Sequence, residues 1–282
     1  MDAHENNGCA AMTVSDRYLD FRGIPVHCIE GGAGAVIMML HGVGPGTSVE
    51  GNFLPILGSL TEHYRIVGVD LIGFGKSARK PAPPYFDFPL WLEQMQYVLD
   101  RIEGAEVGIL AHSCGAALAL KLAARNRRVT RVLTTGSAGR SFPVNRYLDL
   151  LWTFPDSKEQ LREAMSCALW DKSGLTDAFL EDRLMKLHQP GYKEYFSQLF
   201  RREERQAMVD SWTVSDDELT RIDANVVMVH GREDLPIPFE STTARLAPLI
   251  RRADVCLLAQ CGHSVAVEYP AKVMALARTL FG

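Results

Sequence analysis

The run Gly108-Ile109-Leu110-Ala111-His112-Ser113-Cys114-Gly115-Ala116-Ala117 restricts this chain more than any other stretch. Apolar Val107 to Ala111 reads as a short buried strand, and Ala116 to Arg125 as a helix. Between them lies small-x-Ser-x-Gly, with Ala111 standing where glycine is commonest. A serine on so sharp a strand-to-helix turn sits in strained backbone and needs small neighbours two positions to either side. The turn lifts the hydroxyl above the sheet and puts a helix N-terminus behind any anion formed there. On its own the pattern is weak, because a serine that merely caps a core helix looks similar.

The flanking sequence fits a parallel sheet. Tyr18 to Phe21 and Ile24 to Ile29, split by Arg22-Gly23, read as an antiparallel hairpin. Ala35 to Leu40 is an unbroken apolar run, as in strands buried on both faces. It empties into His41-Gly42-Val43-Gly44-Pro45-Gly46. A helix over Asn52 to Leu60, a strand over Tyr64 to Val69, a helix from about Pro89 to Ile102 and a strand over Val129 to Thr135 follow. This alternation implies α/β architecture with helices on both sides of the sheet. From about Ser141 to Trp212 it stops, giving way to helical spacing rich in aromatics, which reads as a helical lid, 141–212. Strands return at Val226 to His230 and Val255 to Ala259, and a last helix runs from about Pro270 to Leu280. The core therefore comprises 13–140 and 213–282, and Met1 to Met12 is expected to be a flexible tail.

Bulk properties narrow the function classes. With 47% hydrophobic and 23% charged residues among 282, a sizeable core is affordable and disorder is disfavoured. A net charge of −4 without a long basic run gives no case for nucleic acid. No apolar stretch approaches the ~20 residues that span a membrane, and the polar N-terminus lacks a signal-peptide h-region. Six scattered cysteines show neither metal nor disulfide-framework spacing, which suggests a reducing, cytoplasmic setting. The histidines lack paired metal-ligand spacing, so no metal is expected. The Gly42–Gly46 loop lacks the lysine and Ser/Thr of a P-loop, and Gly73-x-Gly75 is too short for a dinucleotide fingerprint, so no cofactor is expected.

A serine nucleophile needs a base, and the base needs a group that fixes its tautomer and stabilises its cation. Asp234 lies in the turn after Val226 to Val229, and His263 in Gln260-Cys261-Gly262-His263-Ser264 after Val255 to Ala259. Strand ends of an open parallel sheet converge on one crevice, so Ser113, Asp234 and His263 can meet there. Glu233 is the alternative acid. His41, His112 and His230, also near strand ends, read as structural histidines or rival bases. Acyl transfer further needs two N–H groups aimed at the oxyanion. Cys114 supplies one at the helix start and the glycine-rich loop the other, best from Val43. The Cys114 thiol itself, as a rival nucleophile, would turn away from the crevice.

The His-Gly loop, Asp70-x-x-Gly73-x-Gly75-x-Ser77, the nucleophile turn, Gly231-x-x-Asp234 and Gly262-His263 together resemble the α/β-hydrolase family over nearly the whole chain. A closer resemblance is to the meta-cleavage-product hydrolases, which cut carbon–carbon bonds in ring-opened aromatic catabolites. His41-Gly42-Val43-Gly44-Pro45-Gly46 looks like that subfamily's loop, Asn52 falls where it carries an active-site asparagine, and Arg183 resembles its lid arginine. A guanidinium suits the carboxylate of a dienoate, since it can pair both oxygens; the alternative for Arg183 is a solvated helix residue. The subfamily usually has asparagine where His112 stands, tryptophan where Ser264 stands, and glycine where Ala116 stands. Gly42, His112 and Ser264 therefore join Asn52 and Arg183 as substrate-facing candidates.

The resemblance implies a cofactor-independent serine hydrolase acting on a small molecule. His263 would help move an enol proton to carbon, Ser113 would promote attack on the distal carbonyl, and the carbon–carbon bond would break. The same groups could instead run ester or lactone hydrolysis, or perhydrolase-type haloperoxidase chemistry. Haloalkane dehalogenation would need aspartate at position 113. A binding protein that has lost turnover is the alternative from another class. Hydrolases of this kind often pair, so a homodimer is the expected assembly.

Overall fold

Short apolar runs and a polar first strand, each ended by a Gly- or Asp-containing turn, assemble one eight-stranded sheet in the computed structural model, which describes residues 14–282. The expected tail over Met1 to Met12, with Cys9, lies outside the described residues. The strands are β1 (Val14–Phe21), β2 (Ile24–Gly31), β3 (Val36–Leu40), β4 (Arg65–Val69), β5 (Val107–His112), β6 (Val129–Thr135), β7 (Asn225–Gly231) and β8 (Ala253–Leu258). Their order is β1-β2-β4-β3-β5-β6-β7-β8. β1 and β2 pair antiparallel, as do β2 and β4, and every other pairing is parallel.

The core helices are α1 (Val49–Thr61), α2 (Phe88–Arg101) and α3 (Cys114–Arg125). Between β6 and β7 the chain is helical: α4 (Arg146–Leu151), α5 (Lys158–Cys167), α6 (Asp177–Leu187), α7 (Tyr192–Leu199), α8 (Arg205–Ser211) and α9 (Asp216–Thr220). The short α10 (Thr243–Leu246) and α11 (Val265–Glu268) and the terminal α12 (Pro270–Phe281) complete the chain. Alternation along β3 sorts the core. Ile37 and Met39 pack with Phe53, Leu57, Val273 and Phe281 of α1 and α12, whereas Met38 and Leu40 face the opposite cluster with α2 and α3. Among the described residues, no helix is long and apolar enough to cross a membrane.

Several boundaries differ from the sequence reading for identifiable reasons. β1 starts at Val14, because its residues are mostly solvent-facing and polar and give no apolar alternation. α1 starts at Val49, where the Ser48 side chain accepts the Gly51 N–H, although Gly51 and Pro55 argue locally against helix. α3 starts at Cys114, two residues early, because Ser113 itself occupies the cap position. β8 begins at Ala253 and closes at Leu258, ahead of the expected Val255 to Ala259.

The helical stretch after β6 is fastened at its stem and its centre. Val214 N–H donates to Gly139 O (2.9 Å), and Trp212 Nε1 donates to Arg140 O (3.1 Å). Trp152 stacks on Phe200 at 5.1 Å, Phe200 meets Phe196 at 4.7 Å, and Phe86 bridges from Trp91 (4.8 Å) to this group. Such ring pairs contribute roughly 0.5–1.5 kcal/mol each beyond the area they bury. Buried Arg205 donates to Asp149 Oδ1 (2.6 Å), Asp149 O (2.7 Å) and Trp152 O (2.5 Å), so its charge is matched.

Candidate active site

Four loops meet at the C-terminal edge of the parallel strands, as the fold's topology requires. The turn after β5 carries Ser113 at φ 56° and ψ −123°, a left-handed conformation that a side chain enters only under constraint. Three backbone bonds impose it: Ser113 N–H donates to Thr135 O (3.0 Å), while Ser113 O accepts from Ala116 N–H (2.9 Å) and Ala138 N–H (3.1 Å). The Ser113 hydroxyl makes no capping bond to α3, so it is not a helix cap in the ordinary sense. Gly115 is required by close approach, since a Cβ there would lie 2.6 Å from His41 O and 2.8 Å from Leu40 O.

That hydroxyl lies 3.0 Å from His263 Nε2, and His263 Nδ1 lies 2.7 Å from Asp234 Oδ2. A carboxylate can only accept, so Nδ1 carries the proton and Nε2 faces Ser113 as an acceptor. Asp234 Oδ1 accepts the Ile237 N–H (2.9 Å), and Oδ2 also lies 3.2 Å from His230 Nε2. Burial alone would raise the Asp234 pKa. The electrostatic pull of the adjacent His263, with hydrogen bonds from His230 and His263, reverses this and holds the carboxyl well below the usual range.

Glu233, the rival acid, points elsewhere. Its Oε2 accepts the Cys261 N–H (3.1 Å) and its Oε1 meets Arg232 Nε (3.1 Å), so it pins the backbone of the His263 loop. His230 reaches Thr243 Oγ1 through Nδ1 (2.8 Å) and Ile237 O through Nε2 (2.8 Å); it supports Asp234 rather than facing Ser113. His41 is fully buried, with Nε2 accepting the Leu71 N–H (2.9 Å) and Nδ1 on Gly42 O (2.5 Å). Both are structural histidines.

Val43 N–H and Cys114 N–H donate to no protein acceptor among the described residues, and Cys114 opens α3. The Cys114 thiol is fully buried, and burial pushes its pKa far above the ordinary 9.0. It is not a nucleophile. Gly42 lies directly over Ser113: a Cβ there would come within 2.7 Å of Ser113 Cβ and 3.2 Å of Ser113 Oγ.

The remaining candidates separate. Asn52 Oδ1 accepts the Gly42 N–H (2.9 Å), so this carbonyl oxygen is spent on shaping the loop. His112 lies against His263 with ring centroids 4.6 Å apart and the ring planes tilted by 47°. Its Nδ1 donates to Thr135 O (3.1 Å), and burial, reinforced by the neighbouring His263, lowers its pKa to about 3, so it is neutral. Ser264 uses its N–H on Ala168 O (3.0 Å), joining the His263 loop to the end of α5. Arg183 is half-buried on α6, and its Nη2 donates to Pro45 O (3.1 Å). Burial lowers its guanidinium pKa, and no carboxylate lies within ion-pair distance among the described residues. Nearby, Gly46 N–H donates to Tyr192 Oη (3.0 Å), so α6 and α7 both dock on the loop after β3.

Sequence reasoning did not single out Tyr192, Glu233's tie to Cys261, or His230's tie to Asp234. Among the described residues no group of three His, Cys, Asp or Glu side chains could hold a metal ion. A cavity of about 620 Å³ opens elsewhere, lined by Arg146, Asp149, Glu163, Cys167, Arg202 and Arg205 among others. It shares no residue with the Ser113 cluster.

The sequence pattern described as "Alpha/beta hydrolase family" matches residues 37–276. The chain belongs to this family. Among its relatives is the 2-hydroxymuconate semialdehyde hydrolase of Pseudomonas sp. (strain CF600), 32% identical, with 90% of this chain and 89% of that protein aligned. Another is the 2-hydroxy-6-oxo-2,4-heptadienoate hydrolase of Pseudomonas putida (strain F1), 32% identical, with coverage of 87% and 88%. Among solved structures, the meta-cleavage product hydrolase of Pseudomonas fluorescens IP01 superposes with a TM-score of 0.86 at 29% identity, covering 93% of this chain and 95% of that one. The chain is thus an α/β-hydrolase whose relatives include hydrolases named for 2-hydroxymuconate semialdehyde and 2-hydroxy-6-oxo-2,4-heptadienoate.

Proposed function

We propose that this hydrolase cleaves a carbon–carbon bond in a ring-opened aromatic catabolite of the 2-hydroxy-6-oxo-dienoate type. Ser113 is the nucleophile, His263 the base and Asp234 its orienting partner. Val43 and Cys114 N–H groups receive the oxyanion, and residues 141–212 act as a lid on the core. The observation that carries the substrate class is Arg183. A half-buried guanidinium bound to one carbonyl and no carboxylate has unused donors, and it sits on the loop that begins beside Ser113. A dienoate carboxylate can take up those donors in a bidentate pair. The names of the aligned relatives support the same class.

On this reading His263 first assists transfer of the substrate's enol proton to carbon, making a ketone that can accept electrons. Neutral His112 and Ser264 form the wall beside the base. Ser113, deprotonated by His263, then promotes attack on the distal carbonyl, and the negative oxygen falls to Val43 and Cys114 N–H. The carbon–carbon bond breaks with its electron pair drawn into the ketone, and water completes release of an acid and a dienoate. Asn52 acts through Gly42, setting the loop that presents Val43.

Ester hydrolysis through the same groups is the second reading. It is favoured by one observation: Asn52 Oδ1 is already engaged by Gly42 N–H, so that oxygen is not free for a substrate hydroxyl. The two separate in steady-state kinetics of Arg183→Ala. Carbon–carbon hydrolysis requires dienoate kcat/KM to fall by about two orders of magnitude, the scale of a lost charged hydrogen bond. Short aryl esters should be little affected. Equal behaviour of the two substrates, or no dienoate turnover at all, would leave an esterase.

A further inference from the structure

The loop bearing His263 is held on both sides of the histidine by contacts that reach into the helical stretch after β6. One residue before it, Gly262 N–H donates to Glu268 Oε2 at 2.7 Å. One residue after it, Ser264 N–H donates to Ala168 O at 3.0 Å. The other Glu268 oxygen, Oε1, accepts Trp170 N–H (2.7 Å) and Asp171 N–H (3.0 Å). A single half-buried carboxylate therefore spans two segments far apart in sequence. One segment positions the base, and the other is the link between α5 and α6. The approach is close enough that a Cβ on Gly262 would lie 2.7 Å from Ala168 O.

We propose that Glu268 is a positioning residue that couples the two segments, so that His263 is aligned on Ser113 only while residues 168–171 are docked. The inference rests on the triad reading given above. Its physical basis is that a carboxylate accepts N–H bonds with both oxygens, and charge-assisted bonds of this kind are about twice as strong as neutral ones. Undocking 168–171 strips two donors from Oε1 and the Ser264 bond from the other side of His263. The Gly262 peptide then loses its fixed partner geometry one residue from the imidazole. Closure over a substrate and alignment of the base thereby become one event, and substrate contacts in the helical layer are transmitted to the reacting atoms.

Glu268→Gln is the sharpest test, because the variant keeps shape but places an NH2 group against an N–H on one of the two sides. A small serine-reactive phosphonate, followed by mass spectrometry, reads Ser113–His263 competence whatever the natural substrate is. Wild-type protein that does not label would sink the triad reading itself. If the wild type labels, Glu268→Gln should label about 10- to 100-fold more slowly, the scale of a sub-ångström to 1 Å misplacement of a reacting group. The loss should appear in kcat for a short aryl ester with KM little changed, while the melting temperature stays near wild type. Labelling at the wild-type rate would overturn the coupling. A second measurement needs no variant: in the native protein, the Trp170, Asp171 and Gly262 amides should exchange with solvent as one cooperative unit. Free exchange at Trp170 and Asp171 with Gly262 still protected would also overturn it, including where Glu268→Gln fails to fold.

Discussion

Gly42→Ala adds one methyl group where the site has no room for it. The φ of Gly42 is not in the left-handed region, so the backbone itself tolerates alanine and the effect is steric. The new Cβ would lie 2.7 Å from Ser113 Cβ, 3.2 Å from His112 Cδ2 and 3.2 Å from Ser113 Oγ. Ordinary carbon–carbon contact is about 3.5–4.0 Å, so roughly 1 Å of displacement is required. Ser113 cannot give way, because its amide and carbonyl are held by Thr135, Ala116 and Ala138. The loop must move instead, taking Val43 N–H with it. Overpacking of this kind costs about 1–3 kcal/mol of stability, and misplacing an oxyanion donor costs on the order of 100- to 1,000-fold in kcat. Thermal melts and kcat on an aryl ester measure both. Gly44→Ala is the control, because its Cβ would meet only Thr47 Cγ2 at 3.6 Å, an ordinary contact. Equal kcat for wild type, Gly42→Ala and Gly44→Ala would refute the assignment of this loop to the oxyanion.

Asp234→Asn should lower kcat by about 10⁴, since an amide no longer fixes Nδ1–H of His263, while Glu233→Gln should cost far less in the same ester assay. Glu218 accepts Lys121 Nζ (2.8 Å) and Arg125 Nη2 (2.8 Å). Burial would raise its pKa, but Lys121, the Ser215 N–H and Arg125 bring it from the ordinary 4.5 to about 2. A depressed carboxyl stabilises above its unfolded value, so melting temperature should fall as pH drops from 4.5 toward 2, and Glu218→Gln should flatten that fall. His27 has the opposite sign. Burial lowers its pKa, yet its bonds to Asp70 (2.8 Å) and Asp16 (3.0 Å) leave it above the ordinary 6.5. Its stabilisation is complete below pH 6.5 and lost as pH rises through the folded value, a decline in melting temperature that His27→Gln should remove.

Much of this site was legible because local backbone constraint writes itself into sequence. A strand, a serine between small residues and a helix can form few geometries, and Gly115 is small because His41 O is 2.6 Å away from any Cβ. The chain order of Ser113, Asp234 and His263 followed from the same strand-end rule. Choosing Asp234 over Glu233 was harder, as both are acids in one turn and only the direction of each side chain off β7 separates them. The ties of His230, Glu233 and Glu268 were hidden because each depends on a partner brought near by the fold, such as Trp170 N–H, 98 residues from Glu268. Polar β1 was truncated in the reading because its exposed face carries charge where apolar alternation would have marked a strand. Asn52 was indicated only by the resemblance to the meta-cleavage-product hydrolases, and its bond to Gly42 N–H required coordinates.

The most direct test is the loss of visible absorbance from a ring-opened 2-hydroxy-6-oxo-dienoate incubated with purified protein and with Ser113→Ala. The account requires wild-type protein to consume the dienoate, releasing an acid and a shorter dienoate, and Ser113→Ala to lose at least about 10³-fold in kcat, as removal of a triad nucleophile does. Aryl ester turnover by the wild type with an unchanged dienoate spectrum would contradict the carbon–carbon assignment. Undiminished dienoate cleavage by Ser113→Ala would contradict the triad.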